Sequence, residues 1–363
     1  MTLEEPRGAL SLKEFTRPDG TFLPLTTLRP SYQHQQNRIV VSNALRQRRD
    51  ELVPSDLFEA LASKFATTVA NNELSSPSTG SASIVDPKTV SQTKHWYERG
   101  WHPSLEYYLW SRKCTYFDEN DPTQERRAKA VSSYLQMEAP PERVVPDGPV
   151  FDLLPPHSFP SDRSLGKLLI GRRTIRGYLG DASTLPILSS VLWWGLDGVR
   201  KIRSRPIIAP LDFLNSYGVA FDFFPVLYNV EGIPAGAYYY DLLQHKLVSL
   251  RQGLFRSEMK RNTFDHVAPN TACWTILIAA DFPQFMWRYR HERALRNLYL
   301  ETGRLSQKLL LAGMAFGLGT LTTPATRDRD LNHLLKLDIL RQTSIYTLTM
   351  GVQKKSYVEA EPE

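Results

Sequence analysis

The segment from Ala294 to Gly319, ALRNLYLETGRLSQKLLLAGMAFGLG, constrains the fold more than any other stretch of the chain. Leu295, Leu298, Leu305, Leu309, Ala312 and Phe316 recur at steps of three and four, the period of one helical face. The pattern predicts a helix of about 24 residues, which at roughly 1.5 Å per residue crosses a whole domain. Its second half, from Leu309 to Phe316, is apolar nearly all round, as a helix buried at a domain centre or a subunit interface must be. Yet Glu301, Arg304, Gln307 and Lys308 flank Gly303 in its middle. Two readings stand: a core helix with a solvated polar stripe, or a buried helix with something polar to hold.

The 363 residues suffice for one large domain with an appendage, or for two domains. A composition of 42% hydrophobic and 23% charged residues excludes wholesale disorder. The net charge of +6 comes from 44 basic against 38 acidic residues, a milder excess than a dedicated nucleic-acid binder carries. Two cysteines, Cys114 and Cys273, make neither a disulfide framework nor a metal cluster, and Cys273 lies in an apolar run that reads as core. The start, MTLEEPRGAL, lacks a charged-then-apolar signal pattern, and the most apolar windows are far too short to span a bilayer. The expectation is a cytoplasmic protein without a metal, a membrane or a nucleic-acid partner.

Taken in order, the chain divides into an N-terminal extension (1–90), an aromatic helical flank with a proline-rich connector (91–160) and a main domain (161–356). In the extension, NRIVVSNALRQRRDELV reads as a short strand followed by a basic helical turn, and LFEALASKFATTVA as a helix opened by Asp56 and Glu59. This is a winged-helix-like pattern, open to three readings: a packing extension, a peptide clamp or a DNA reader. LEYYLWSRKC reads as an aromatic-faced helix, and the prolines from Ala139 to Pro156 as an extended connector. In the main domain Ser183 to Leu196 predicts a helix capped by Ser183 or Asp181. VAFDFFPVLYNV has the composition of a buried strand, followed by hairpin partners at Ala237 to Tyr240 and Lys246 to Leu250. Thr275 to Ala280 predicts another strand, Phe285 to Glu292 a helix, Asp328 to Leu337 a helix and Ser344 to Val352 a closing strand. Hairpin strands with helices between them argue an α+β fold.

Dinucleotide, P-loop, HExxH, CxxC and nucleophile-elbow motifs are all missing. What is present is Gly171-Arg172-Arg173-Thr174-Ile175-Arg176-Gly177-Tyr178. Guanidiniums of Arg172, Arg173 and Arg176 with the Thr174 hydroxyl can converge on one phosphate, because arginine donates in a fork and keeps its charge. An exposed basic turn explains the same residues equally simply. A second cluster, Arg200, Lys201, Arg203 and Arg205, reads as a solvated strand edge. Lys354, at the end of the last strand, is either a further phosphate ligand or part of a frayed tail.

The arginine motif resembles the opening of flavin-dependent nitroreductase-superfamily proteins. The segment VEGIPAGAYYYDLLQHKLVSL resembles the hairpin signature of SagB-type dehydrogenases, flavin enzymes of peptide natural-product pathways. The stretch ILIAADFPQFMWRYRHERALRNLYLETGRLSQKLLLAGMAFGLG is similar to that family's strand, aromatic-basic-Tyr turn, Glu-x-Gly, Gln and Gly-Leu-Gly in order and spacing. The resemblance runs from about Ser164 to Gln353. It implies a nitroreductase-like α+β fold, a central sheet wrapped by helices, and a homodimer with FMN at its interface and the long helix there. By the same resemblance Arg172, Arg173 and Thr174 grip the FMN phosphate, and Arg296 and Gln307 contact the cofactor. The loop after Gly319, including Leu321 and Thr322, offers backbone groups to the ring, and Ser216 and Gly218 match the family's Pro-Ser-x-Gly loop. The implied reaction is two-electron oxidation of a peptidyl azoline to a thiazole or oxazole, on a substrate with a leader peptide or carrier protein, with biosynthetic partner enzymes. The family's Lys-Tyr pair falls on Arg288-Tyr289, and since arginine does not readily lose its proton, Tyr289 is the base candidate with Arg288 its charged neighbour. Two other readings stand: a non-catalytic member that binds a peptide or partner enzyme, and an NAD(P)H-fed small-molecule nitroreductase.

Overall fold

A computed structural model describes residues 28–33, 38–43, 48–52, 95–96, 98–111, 120–205 and 218–353. The chain forms two compact units, Met1–Arg112 and Lys113–Glu363. In the first, β1 (Leu28–Gln33), β2 (Arg38–Asn43) and β3 (Arg48–Leu52) make an antiparallel three-stranded meander. The basic turn expected near Arg48 is thus a strand: pairing with β2 from Ile39 to Asn43 supplies the backbone partners that local sequence could not reveal. The helix expected over Leu57 to Ala70 lies outside the described residues. The aromatic helix is present as α1 (His102–Trp110), and the ring of Trp96 stacks on Tyr108 with centroids 6.4 Å apart.

The second unit begins with α2 (Glu125–Met137), after which the connector runs extended and places β4 (Val150–Asp152) on the main sheet. Next come α3 (Leu165–Gly171), β5 (Ser183–Thr184), α4 (Leu185–Gly195) and α5 (Asp197–Arg203). Ser183 therefore does not cap α4; it pairs in parallel with Val230 instead. The remaining elements are β6 (Phe221–Leu227), β7 (Val230–Glu231), β8 (Gly236–Asp241), β9 (Lys246–Gln252), α6 (Arg256–Asn262), β10 (Trp274–Asp281), α7 (Phe282–Arg288), α8 (Ala294–Ala315), β11 (Leu318–Thr323), α9 (Asp328–Leu334) and β12 (Gln342–Val352). Helix α7 starts earlier than the sequence pattern suggests. The Asp281 carboxylate accepts the Gln284 amide at 3.0 Å and Pro283 occupies the first turn, so the cap and the proline fix the start.

Seven strands form one antiparallel sheet in the order β11-β12-β10-β6-β8-β9-β4. Every residue of β6 and β10 is buried. Alternate residues explain it: Ile276, Ile278, Phe223 and Tyr238 face the core shared with α4 and α8, whereas Leu277, Ala279, Phe224 and Tyr239 face a second core with α6 and α9. Burial on both faces is why these strands read as continuous apolar runs. The long helix α8 lies against α4 and strands β11 and β12. Gly313 allows that approach, since a Cβ there would sit 2.8 Å from Met350 Sδ and 3.3 Å from Thr320 Cγ2.

The turn joining β8 to β9 carries a polar relay. His245 has a left-handed backbone (φ +53°), and its ring is half-buried between Tyr240 and Ser189, with Nδ1 and Nε2 each 2.8 Å from one hydroxyl. The Ser189 hydroxyl donates to the Leu154 carbonyl, so it accepts from His245 Nε2–H, and the Tyr240 hydroxyl donates to Nδ1. The relay is satisfied only by the neutral ring. Burial, reinforced by Arg200, pulls the His245 pKa from 6.5 down to about 4. Between these two values the unfolded chain binds a proton that the folded chain does not, so stability falls as pH drops. The stabilisation is complete above pH 6.5 and is lost progressively toward pH 4. Thermal unfolding across that window should show this decline, and His245→Asn, which accommodates the left-handed backbone, should flatten it.

Candidate functional site

The arginine motif leaves α3 as an extended turn. Arg173 Nη1 donates to the carbonyls of Ile170 and Arg172 at 2.8 and 3.0 Å, closing the helix C-terminus. Arg172 Nη1 approaches the Thr174 hydroxyl at 3.4 Å. Thr174 bridges to Thr320 of β11 in parallel, and the Ile175 amide donates to the Thr320 carbonyl at 3.0 Å. Below the turn Ile175 packs on Gly319, and the Tyr178 hydroxyl lies 3.0 Å from the carbonyls of Ile175 and Thr349. Arg173, Thr174 and Arg176 are exposed and Arg172 is half-buried. Three guanidiniums and a hydroxyl, all exposed but for the half-buried Arg172 and carried on a turn fixed to a sheet edge, have the donor chemistry that a phosphate group requires.

The segment after Gly319, expected as a loop, is edge strand β11, because its other side pairs with β12 from Leu318 to Thr323. Thr320 turns its carbonyl outward to Ile175, and backbone direction alternates along an antiparallel strand. Thr322 therefore presents its backbone outward, whereas Leu321 turns its backbone to β12 and buries its side chain in the second core. Arg296 and Gln307 are both exposed and, being eleven residues apart, share one face of α8 with exposed Leu300. Ser216 and Lys354 lie outside the described residues.

A second assembly surrounds Gly218, which adopts a left-handed φ of +70°. Its amide donates to Glu301 Oε1 at 2.6 Å and its carbonyl accepts from Arg203 Nη2 at 2.6 Å. Arg143 holds the Val219 carbonyl and Arg203 the Phe221 carbonyl. Both guanidiniums face the Asp222 carboxylate, which is 3% exposed and also accepts from Gln342 at 2.6 Å and from Tyr239 at 3.4 Å. The basic cluster expected on a solvated strand edge thus belongs to α5, with Arg200 and Arg203 turned inward. Arg200 stacks over the Trp193 ring at 3.5 Å and donates to its carbonyl at 2.9 Å. Nearby Trp193 and Asp197 receive Arg200, whereas the carbonyls that receive Arg203 come from Gly218 and Phe221, 15 and 18 residues on.

Arg288 ends α7, half-buried; burial lowers its pKa, while Tyr289 and Glu301 pull it back up. The Tyr289 ring packs on Phe285 with centroids 4.9 Å apart, and its amide donates to the Phe285 carbonyl at 2.9 Å. Burial likewise raises the Glu301 carboxyl, against the Gly218 amide, Arg304 and Arg288. Glu301 therefore links the Gly218 turn to the Arg288–Tyr289 turn. The arginine turn is elsewhere: it meets β11 beside Gly313, twelve residues or about 18 Å further along α8 than Glu301. Within one chain the proposed phosphate and base positions occupy opposite halves of the helix.

Residues 169–352 match the family model described as the Nitroreductase family. The chain belongs to the nitroreductase family. Its sequence is 27% identical over 285 residues to the trifolitoxin operon protein TfxC of Rhizobium leguminosarum bv. trifolii, covering 75% of this chain and 77% of that one. Its fold is similar to a nitroreductase-type crystal structure from Anabaena variabilis, with 23% identity and TM-score 0.47, over 57% of this chain and 42% of that one. It is similar also to a structure of the E. coli microcin synthetase McbBCD complex with truncated pro-MccB17 bound, with 16% identity and TM-score 0.42, over 75% of this chain and 95% of that one. The α+β nitroreductase fold expected from the motifs is the fold found. No helix among the described residues is long and apolar enough to cross a membrane.

Arg143, Arg203, Asp222 and Glu301 were not singled out from sequence as site residues. Only Glu301 carried a signal, the Glu-x-Gly spacing inside α8. Removing its side chain leaves the buried Gly218 amide without an acceptor, so Glu301→Ala should cost about 1–3 kcal/mol in chemical denaturation. Glu301→Gln keeps an acceptor oxygen and should lose less than half as much.

Proposed function

We propose that this nitroreductase-family chain is an FMN-dependent oxidoreductase acting on a peptide, of the SagB type, which oxidises an azoline or a related saturated bond by two electrons. The observation that carries this reading is the arginine turn held against the outer edge of β11. The turn is pinned through Thr174 and Ile175 to Thr320, two residues before the outward backbone of Thr322. Arg172, Arg173 and Arg176 would bind the cofactor phosphate, and the Thr322 backbone would face the ring. Bound FMN supplies the two-electron acceptor. Arg296 and Gln307 would contact the cofactor from the exposed face of α8.

The separation of the two half-sites supports a homodimer. An exposed stripe of Arg296, Leu300 and Gln307, with Leu165, Leu169 and Ile170 also exposed on α3, gives the second copy a surface to cover. Pairing through α8 would bring one protomer's arginine turn toward its partner's Arg288–Tyr289 turn. There Tyr289, as its phenolate stabilised by the Arg288 guanidinium, would accept the proton leaving the substrate carbon and become the neutral phenol. Relationship to a trifolitoxin operon protein supports a peptide substrate and partner enzymes from the same pathway.

Two measurements test this. Purified wild-type protein should show a flavin absorption band at about one FMN per chain. Arg172→Ala with Arg173→Ala should lose most of that occupancy, and full retention sinks the phosphate assignment. A colourless protein that cannot be reconstituted with FMN would overturn the enzyme reading in favour of a binding role. Separately, Tyr289→Phe should keep flavin but lower turnover on an azoline peptide by about 100-fold or more. Unchanged turnover would remove Tyr289 as the base.

A further inference from the structure

A cavity of about 410 Å³ opens between the proline-rich connector, the C-terminus of α5 and the C-terminus of α7. Arg143, Arg203, Arg205 and Arg288 reach its lining, and Leu242 and Trp287 contribute apolar wall. Four guanidiniums, Arg143, Arg203, Arg205 and Arg288, line it against a single lining carboxylate, Asp241, while buried Asp222 pairs with Arg143 and Arg203 from beneath and buried Asp281 adds its charge behind them. Burial and then the neighbouring Arg143 push the Arg203 pKa down to about 9, and Asp222, Tyr239 and Asp281 together restore only part of it. Arg203 is 9% exposed at its side chain, and its Nε is buried with no acceptor among the described residues. An excess of positive charge lining a cavity is relieved by an incoming anion.

We infer that this cavity binds a carboxylate borne on an apolar body, such as the free carboxyl end of a peptide or an N-acylated apolar amino acid. The guanidinium fork matches a carboxylate in geometry as well as charge. The apolar wall distinguishes such a ligand from a small inorganic anion. The cavity shares Arg288 with the proposed base turn, but neither flavin nor turnover enters the test.

The test is calorimetric titration of the full-length protein with N-acetyl-leucine, N-acetyl-leucinamide and inorganic phosphate. N-acetyl-leucine should bind about tenfold or more tighter than the amide, the difference a charge-assisted pair makes over a neutral one. Two exposed positions at the cavity probe the charge without disturbing the buried cluster: Arg205→Ala and Gln244→Glu should each weaken N-acetyl-leucine binding severalfold, with circular dichroism unchanged. Equal affinity for acid and amide would overturn the proposal. So would displacement of N-acetyl-leucine by phosphate at the same concentration, or wild-type binding by both variants.

Discussion

The close seating of α8 on the sheet is the contact on which the remaining structure depends. Gly313 lets the helix axis drop to within reach of Met350 and Thr320, and the helix then holds both edges of the functional region in place. At one end it backs the strand that receives the arginine turn. At the other it carries Glu301 to the Gly218 amide. A side chain at Gly313 would lift the helix from β11 and β12, and the two half-sites would lose their common ruler. Close packing in the interior makes such a displacement costly rather than gradual.

The second organising element is electrostatic. The Gly218–Asp222 segment is held by Glu301 below its amide and by Arg143 and Arg203 at its carbonyls. These charged groups are removed from water, so each must find partners within the protein. Asp222 accepts from Arg143, Tyr239 and Gln342 and lies 3.9 Å from the Arg203 guanidinium, which ties β6 to the connector, β8, β12 and α5. The arrangement leaves a positive excess facing a cavity. Packing and recognition thus draw on the same residues.

Much of this was legible in the chain itself. Helix α8 and strands β6, β8, β9, β10 and β12 announce themselves through apolar period or β-branched and aromatic runs, since a buried surface dictates its own composition. The arginine turn was legible because its residues are adjacent. The mistakes fall where the deciding partner is distant. Arg203 looks solvent-facing until Asp222 and the Phe221 carbonyl are brought against it. Arg48 to Leu52 looks like a helical turn until β2 offers its backbone. The segment after Gly319 looks like a loop until β12 returns from the far end of the chain to pair with it.

The sequence alone determined which segments must be buried and which local groups carry charge, because periodicity and residue type act over a few neighbouring positions. The tertiary structure alone decided where those charges meet. The Gly218 amide and Glu301 are 83 residues apart and Arg143 and Asp222 are 79 apart, and nothing in their local sequence encodes the encounter. Only the closing of the sheet and the descent of α8 onto it bring them within hydrogen-bonding distance, and there burial makes their pairing obligatory.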